Sequence, residues 1–124
     1  MYGSDRLQED LTNLGHEDVE VVEAGGKNFA VIRDFEVLSG QFAERVIDLA
    51  IPAPDNYPQR IGNSIHVRAD PQLFDYEDSK QDERNIKESP LGNEWRYWSH
   101  RFDATGENAT RKLMSKINGV FHHA

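Results

Sequence analysis

The stretch Val46-Ile47-Asp48-Leu49-Ala50-Ile51, running straight into Pro52-Ala53-Pro54-Asp55-Asn56-Tyr57-Pro58, decides how this chain is read. Its first half is rich in β-branched residues and reads as a strand starting near Glu44. Its second half holds three prolines. Each removes a backbone donor and disfavours regular pairing at the residue before it, so the strand must leave into an extended loop.

Two more strands are read upstream. Val19, Val21 and Val22 open an extended segment, Gly25-Gly26 marks a hairpin turn, and Asn28 to Phe35 is rich in Phe, Val and Ile. Ser39-Gly40 is a further break. Downstream, Ser64 to Ala69 alternates polar and apolar, predicting a fourth strand stopped by Asp70-Pro71. Short connections between successive strands favour an antiparallel meander. A helix is predicted at each end. In the first, Leu7, Leu11 and Leu14 share a face, with Ser4 or Asp5 as cap and Gly15 as terminator. In the last, Ala109, Leu113, Ile117, Val120 and Phe121 recur at three- and four-residue intervals after Thr105-Gly106. The fold class is α+β, in one domain of 124 residues.

Between Gln72 and Asn93 neither period holds, and Asp75, Glu77, Asp78, Asp82 and Glu83 make the stretch acidic. A structureless loop of that length is uncommon and is usually functional or disordered. Next comes an aromatic block, Trp95-Arg96-Tyr97-Trp98-Ser99-His100. A helical turn there would place Trp95 and Trp98 on one face, as core residues before binding residues. Tyr57 reads as an anchor packed under the proline turn.

Composition narrows the function. Fourteen Lys and Arg against twenty-two Asp and Glu leave a formal charge of −8. An acidic surface argues against nucleic acid, whose binding is driven by phosphate neutralisation, and against anionic membranes. No apolar run approaches the roughly 20 residues that span a bilayer, and the N-terminus lacks a signal-peptide pattern. A cytoplasmic setting is the expectation. There is no cysteine, hence no disulfide and no thiolate metal site. His66, Asp70 and Asp75 match no ligand spacing, so neither a metal nor a cofactor is expected.

The order of elements, with Val31-Ile32-Arg33-Asp34-Phe35, the turn at Tyr57-Pro58 and Gly92-x-x-Trp95-x-x-Trp98-Ser99, resembles prokaryotic ubiquitin-conjugating family E. The likeness runs from about Leu7 to Phe121. It implies the ubiquitin-conjugating fold: an N-terminal helix, a four-stranded meander, a long active-site loop and a C-terminal helix. It also implies a bacterial pathway with a ubiquitin-like protein and an activating (adenylating) enzyme as partners. The sequence departs from the usual pattern in two places. Asp70-Pro71-Gln72 stands where a His-Pro-Asn triplet is usual, and no cysteine follows it.

Without a thiol, only a hydroxyl could carry the acyl group, and serine needs a positioned base. Counting forward from Asp70-Pro71 gives Ser79; counting back from Trp98-Ser99 gives Ser89. Ser89 is preferred, because Ser79 lies among acidic residues that oppose a developing alkoxide. Its plain alternative is a turn serine before Pro90. His100 is the favoured base, against the alternative of a surface histidine. His66 is expected on the solvated side of its strand, and His122 and His123 in an unstructured tail. Asn85 and Asn93 are candidate oxyanion donors. The expected function is a conjugating-type acyl carrier using a serine oxyester. The alternatives are an inactive scaffold that binds the activating enzyme or the ubiquitin-like protein, and a variant whose native cysteine has been replaced.

Overall fold

Leu7 and Leu11 are four residues apart, so a helix stacks them on one side. That helix, α1 (Gly3–Asn13), buries both completely. Its cap is Tyr2 rather than Ser4 or Asp5, and no side chain caps it; the Gly3 N–H donates instead to the Tyr57 carbonyl at 2.9 Å. In this computed structural model, which describes residues 1–74 and 86–124, six strands follow and a second helix closes the chain. The strands are β1 (Val19–Ala24), β2 (Lys27–Glu36), β3 (Val46–Pro52), β4 (Ser64–Arg68), β5 (Ile86–Ser89) and β6 (Gly92–Ser99). The helix is α2 (Ala109–His123), and its regular last turn contains His122 and His123, which are therefore no loose tail. The His122 ring nitrogen Nδ1 meets the Ser39 hydroxyl at 2.9 Å.

All neighbouring strands pair antiparallel, in the order β1-β2-β3-β4-β6-β5. The sheet has six strands, not the four expected. The two extra ones, residues 86–89 and 92–99, form a hairpin made from the last part of the stretch read as loop and from the tryptophan block; residues 75–85 of that stretch lie outside the described residues. The tryptophan block is correspondingly a strand and not a helical turn. Alternation in β6 sends Trp98 to one face and Trp95 to the other.

The two faces differ. Ala30, Ile32, Ile47, Leu49, Ile51, Ile65, Val67 and Trp98 point to the helices and form the main core with Leu7, Leu11, Leu113, Ile117 and Phe121. Trp98 is wholly buried, with its ring centroid 5.2 Å from Phe74 and 5.4 Å from Phe121. Tyr57 is also wholly buried; its hydroxyl hydrogen-bonds Thr110 Oγ1, which donates to Asp10 Oδ2 at 2.7 Å. This chain ties the proline turn to both helices, and burial pushes the Tyr57 phenol up to about 12.

The opposite face carries a second, smaller core of Phe29, Val31, Ala50 and Trp95, with Val22, Ala24 and Leu91 against it. It is buried because the hairpins at the two ends of the sheet close over it. The β5–β6 turn bends inward after a register shift between Glu88 and Ser89, and Pro90 approaches Gly25 of the β1–β2 turn so closely that a Cβ there would sit 2.9 Å from the Pro90 ring. Gly25 has φ +59 and no side chain, and both are needed at that crossing.

Candidate functional site

Ser64, His66 and Arg68 alternate along β4 and share its outer face. From sequence that face reads as solvated, but the folded-over β5–β6 turn covers it. His66 is only 3 % exposed, which overturns the expectation of a solvated ring. The rings of Phe29 and Tyr97 stand edge-on to the imidazole, at 4.8 Å and 5.2 Å.

The same bend delivers Ser89. Its Oγ lies 2.7 Å from His66 Nδ1, although β6 runs between their strands. On the far side, His66 Nε2 is 3.2 Å from Ser64 Oγ. The Leu91 N–H donates to Ser89 Oγ at 3.2 Å. A neutral imidazole has one donor and one acceptor nitrogen, and both tautomers satisfy the contacts. With the proton on Nε2, Leu91 N–H donates to Ser89 Oγ, Ser89 O–H donates to Nδ1, and Nε2–H donates to Ser64 Oγ; with it on Nδ1, the ring donates to Ser89 Oγ and Ser64 O–H donates to Nε2. Burial, followed by the nearby Lys27 charge, lowers the His66 pKa to about 4. The imidazole is therefore neutral at physiological pH, and the Nε2–H tautomer leaves the Nδ1 lone pair to accept from Ser89.

A cleft of about 330 Å³ opens onto this arrangement, lined among others by Lys27, Phe29, Ser64, His66, Pro90 and Tyr97. A neighbouring cleft of about 510 Å³ shares Lys27, Pro52, Ser64 and Tyr97 and continues toward Arg60 and Asn63. The smaller cleft sits on the face opposite the helices, and the larger one runs from it around the strand ends toward Ala53 and Ile61.

The other residues singled out in the sequence fall elsewhere. His100 does not meet Ser89: it is exposed and follows Ser99 at the far end of β6, whereas Ser89 pairs with Gly92 at the near end. The His100 backbone N–H donates to the Asn63 carbonyl at 3.1 Å, and its ring lies 5.0 Å from that of Phe102. Ser79 and Asn85 lie outside the described residues. Asn93 is exposed at the start of β6. Among the described residues no group of three or more His, Asp or Glu is placed to hold a metal.

Sequence reasoning passed over His66 as a partner for Ser89. The available signal was the Ser64-x-His66 pair on one strand face. What hid it was the covering of that face by a turn distant in sequence.

A model of the family described as Prokaryotic E2 family E matches residues 6–123. The chain belongs to that family. E2 denotes a ubiquitin-conjugating enzyme, so membership supports a conjugating-enzyme-like role and, in general terms, contact with a ubiquitin-like protein and its activating enzyme. The six-stranded antiparallel sheet with two helices is consistent with an E2-like α+β class. Neither a curated protein nor a solved structure matches the chain. Among the described residues no helix is long and apolar enough to cross a membrane.

Proposed function

We propose that this prokaryotic E2-like protein is an acyl carrier for a ubiquitin-like protein in a bacterial modification pathway, and that Ser89 carries the acyl group as an oxyester. The observation that supports it is the Ser89 hydroxyl held 2.7 Å from Nδ1 of His66, a neutral histidine that lines a cleft. His66 takes the place of His100 as base. Ser89 Oγ attacks the C-terminal carbonyl carbon of the modifier, presented as a thioester on the activating enzyme. The hydroxyl proton passes to His66 Nδ1 and on to the departing sulfur as the C–S bond breaks, so the thiol leaves. In the second half a neutral amine attacks the oxyester, its surplus proton passes to His66 Nδ1, and that proton goes on to the departing Ser89 oxygen as the C–Oγ bond breaks.

A second reading, a scaffold that binds the modifier or the activating enzyme without chemistry, rests on two contacts. His66 Nε2 faces a neutral hydroxyl rather than a carboxylate, so a positive imidazole would gain little support. Leu91 N–H to Ser89 Oγ is also an ordinary turn hydrogen bond.

Reconstitution with modifier, activating enzyme and ATP separates the two. The carrier forms an adduct that survives thiol reductant and is cleaved by hydroxylamine, with peptide mapping on Ser89. Ser89→Ala abolishes it, and His66→Gln slows its formation by about 10²–10⁴, the usual worth of a positioned base. Partner binding with no adduct under any condition establishes the scaffold. An adduct mapping to Ser79 and surviving Ser89→Ala refutes the assignment of the nucleophile.

A further inference from the structure

The edge strand β1 carries a set of unused backbone groups, and its register says which they are. The β1–β2 hairpin turns through two residues, Gly25 and Gly26, with Ala24 and Lys27 as the closing pair. In a two-residue hairpin the closing pair exchanges hydrogen bonds, and bonded and non-bonded pairs then alternate. Val22↔Phe29 and Glu20↔Val31 are therefore bonded. Val19, Val21 and Glu23 turn their N–H and C=O groups away from β2. An independent contact agrees with this assignment: Gln8 Nε2 of α1 reaches the Val19 carbonyl from outside the sheet at 2.9 Å. Among the described residues no hydrogen bond reaches the outward groups of Val21 and Glu23.

Exposed edges in stable proteins are usually blunted by charge, proline, a bulge or a covering element. β1 has no proline, lysine or bulge, pairs with β2 over six residues in unbroken register, and is met by α1 at its Val19 end; beyond that, its protection is the negative charge of Glu20 and Glu23. Its charge is one-sided. Glu17, Asp18, Glu20 and Glu23 cluster in and just before the strand. Glu20 is held by Arg33 at 3.0 Å, while Glu17 and Glu23 have no ion pair among the described residues. Pairing with β1 of a second copy would juxtapose two such acidic sets, on chains of charge −8 each, and like charges across a strand pair are destabilising.

We infer that β1 is a docking edge that accepts an extended, basic segment of a partner protein as a seventh strand. The spacing of that segment follows from the strand itself. Glu20 and Glu23 are three residues apart and so lie on opposite faces, with Val21 and Val22 between them. The complementary strand carries Lys or Arg at positions i and i+3, with β-branched residues between. Main-chain bonds to Val21 and Glu23 supply affinity, and the two cations supply selectivity. The inference is independent of the Ser89 chemistry, since β1 carries neither Ser89 nor His66.

The probe is a blocked peptide, Thr-Lys-Val-Thr-Lys-Thr, with a control in which both lysines are glutamate. Titrated into the ¹⁵N-labelled full chain, the lysine peptide should shift the Val21 and Glu23 amide signals saturably and slow their hydrogen exchange at least tenfold. Val22, already bonded to β2, should change little. The glutamate peptide should bind at least tenfold more weakly. Val21→Pro removes an outward donor but no ladder bond, so it should reduce binding at least tenfold with the fold retained. Glu23→Lys, which leaves the backbone untouched, should weaken the lysine peptide and strengthen the glutamate one, and it carries the test if the proline variant does not fold. The inference is overturned if the Val21 and Glu23 amides do not respond, or if Glu23→Lys leaves both affinities unchanged. Concentration-dependent self-association through β1 without peptide would overturn the choice of occupant in favour of a second copy.

Discussion

Lowering the pH from 7.5 to 5.0 should weaken this fold through His66 in particular. The ring is 3 % exposed and its pKa is about 4, against an ordinary value of 6.5. Burial, first, and the Lys27 charge, second, disfavour the imidazolium in the folded protein. The sign follows from that depression. Above pH 6.5 neither state binds the proton and the stability is complete. Between 6.5 and 4 the unfolded chain binds it more readily, so stability is lost as pH falls through this window. The full gap of about 2.5 units is worth roughly 3.4 kcal/mol at 1.36 kcal/mol per unit, and at pH 5.0 about 2 kcal/mol of it is gone. Urea unfolding followed by fluorescence of the two tryptophans, both buried, measures this directly. With m near 1.5 kcal/mol/M, the His66 contribution moves the midpoint by about 1.3 M. His66→Gln is the control: other groups titrate equally in both proteins, including His16, whose pKa burial also lowers. The wild type should lose about 2 kcal/mol more than His66→Gln across the interval. Equal losses, within about 0.5 kcal/mol, would refute the assignment of a neutral, buried His66 and with it the proton path from Ser89.

Two further predictions concern the framework around the site. Thr110→Val removes the link between the Tyr57 hydroxyl and Asp10 and strands a buried phenol, at a cost of about 1–3 kcal/mol in urea unfolding. Gly40→Ala should cost at least about 1 kcal/mol, because φ there is +90 and a Cβ would lie 2.5 Å from the Phe121 carbonyl oxygen; thermal denaturation of the variant measures it.

Helical stripes and strand runs were legible wherever the period was unmixed. Leu7 and Leu11 sit at helical spacing, Leu113, Ile117 and Phe121 recur every fourth residue, and Val46 to Ile51 ends at its prolines; each became the element that pattern predicts. Residues 86–99 were harder. β5 has four residues, Lys87, Glu88 and Asn93 dilute any alternation, and two tryptophans three apart fit a helix as readily as a strand. Partners across the sheet settled the matter: Trp98 stands opposite Ile65 on one side and Ile86 on the other. Among site residues, Ser89 was visible as a serine beside a proline turn. His66 was visible only as a polar residue on an alternating strand.

The sequence by itself determined the α+β class, the family likeness and the absence of a thiol for any covalent chemistry, because periodicity and composition are properties of neighbouring residues and of counts. Only the tertiary structure decided which histidine meets Ser89. The β5–β6 turn folds across β4 and closes against Gly25, removing water from a face whose polar residues would otherwise be solvated. That burial keeps His66 neutral, and the same turn brings Ser89 against it. It depends on a contact between residues 25 and 90, which no local pattern encodes.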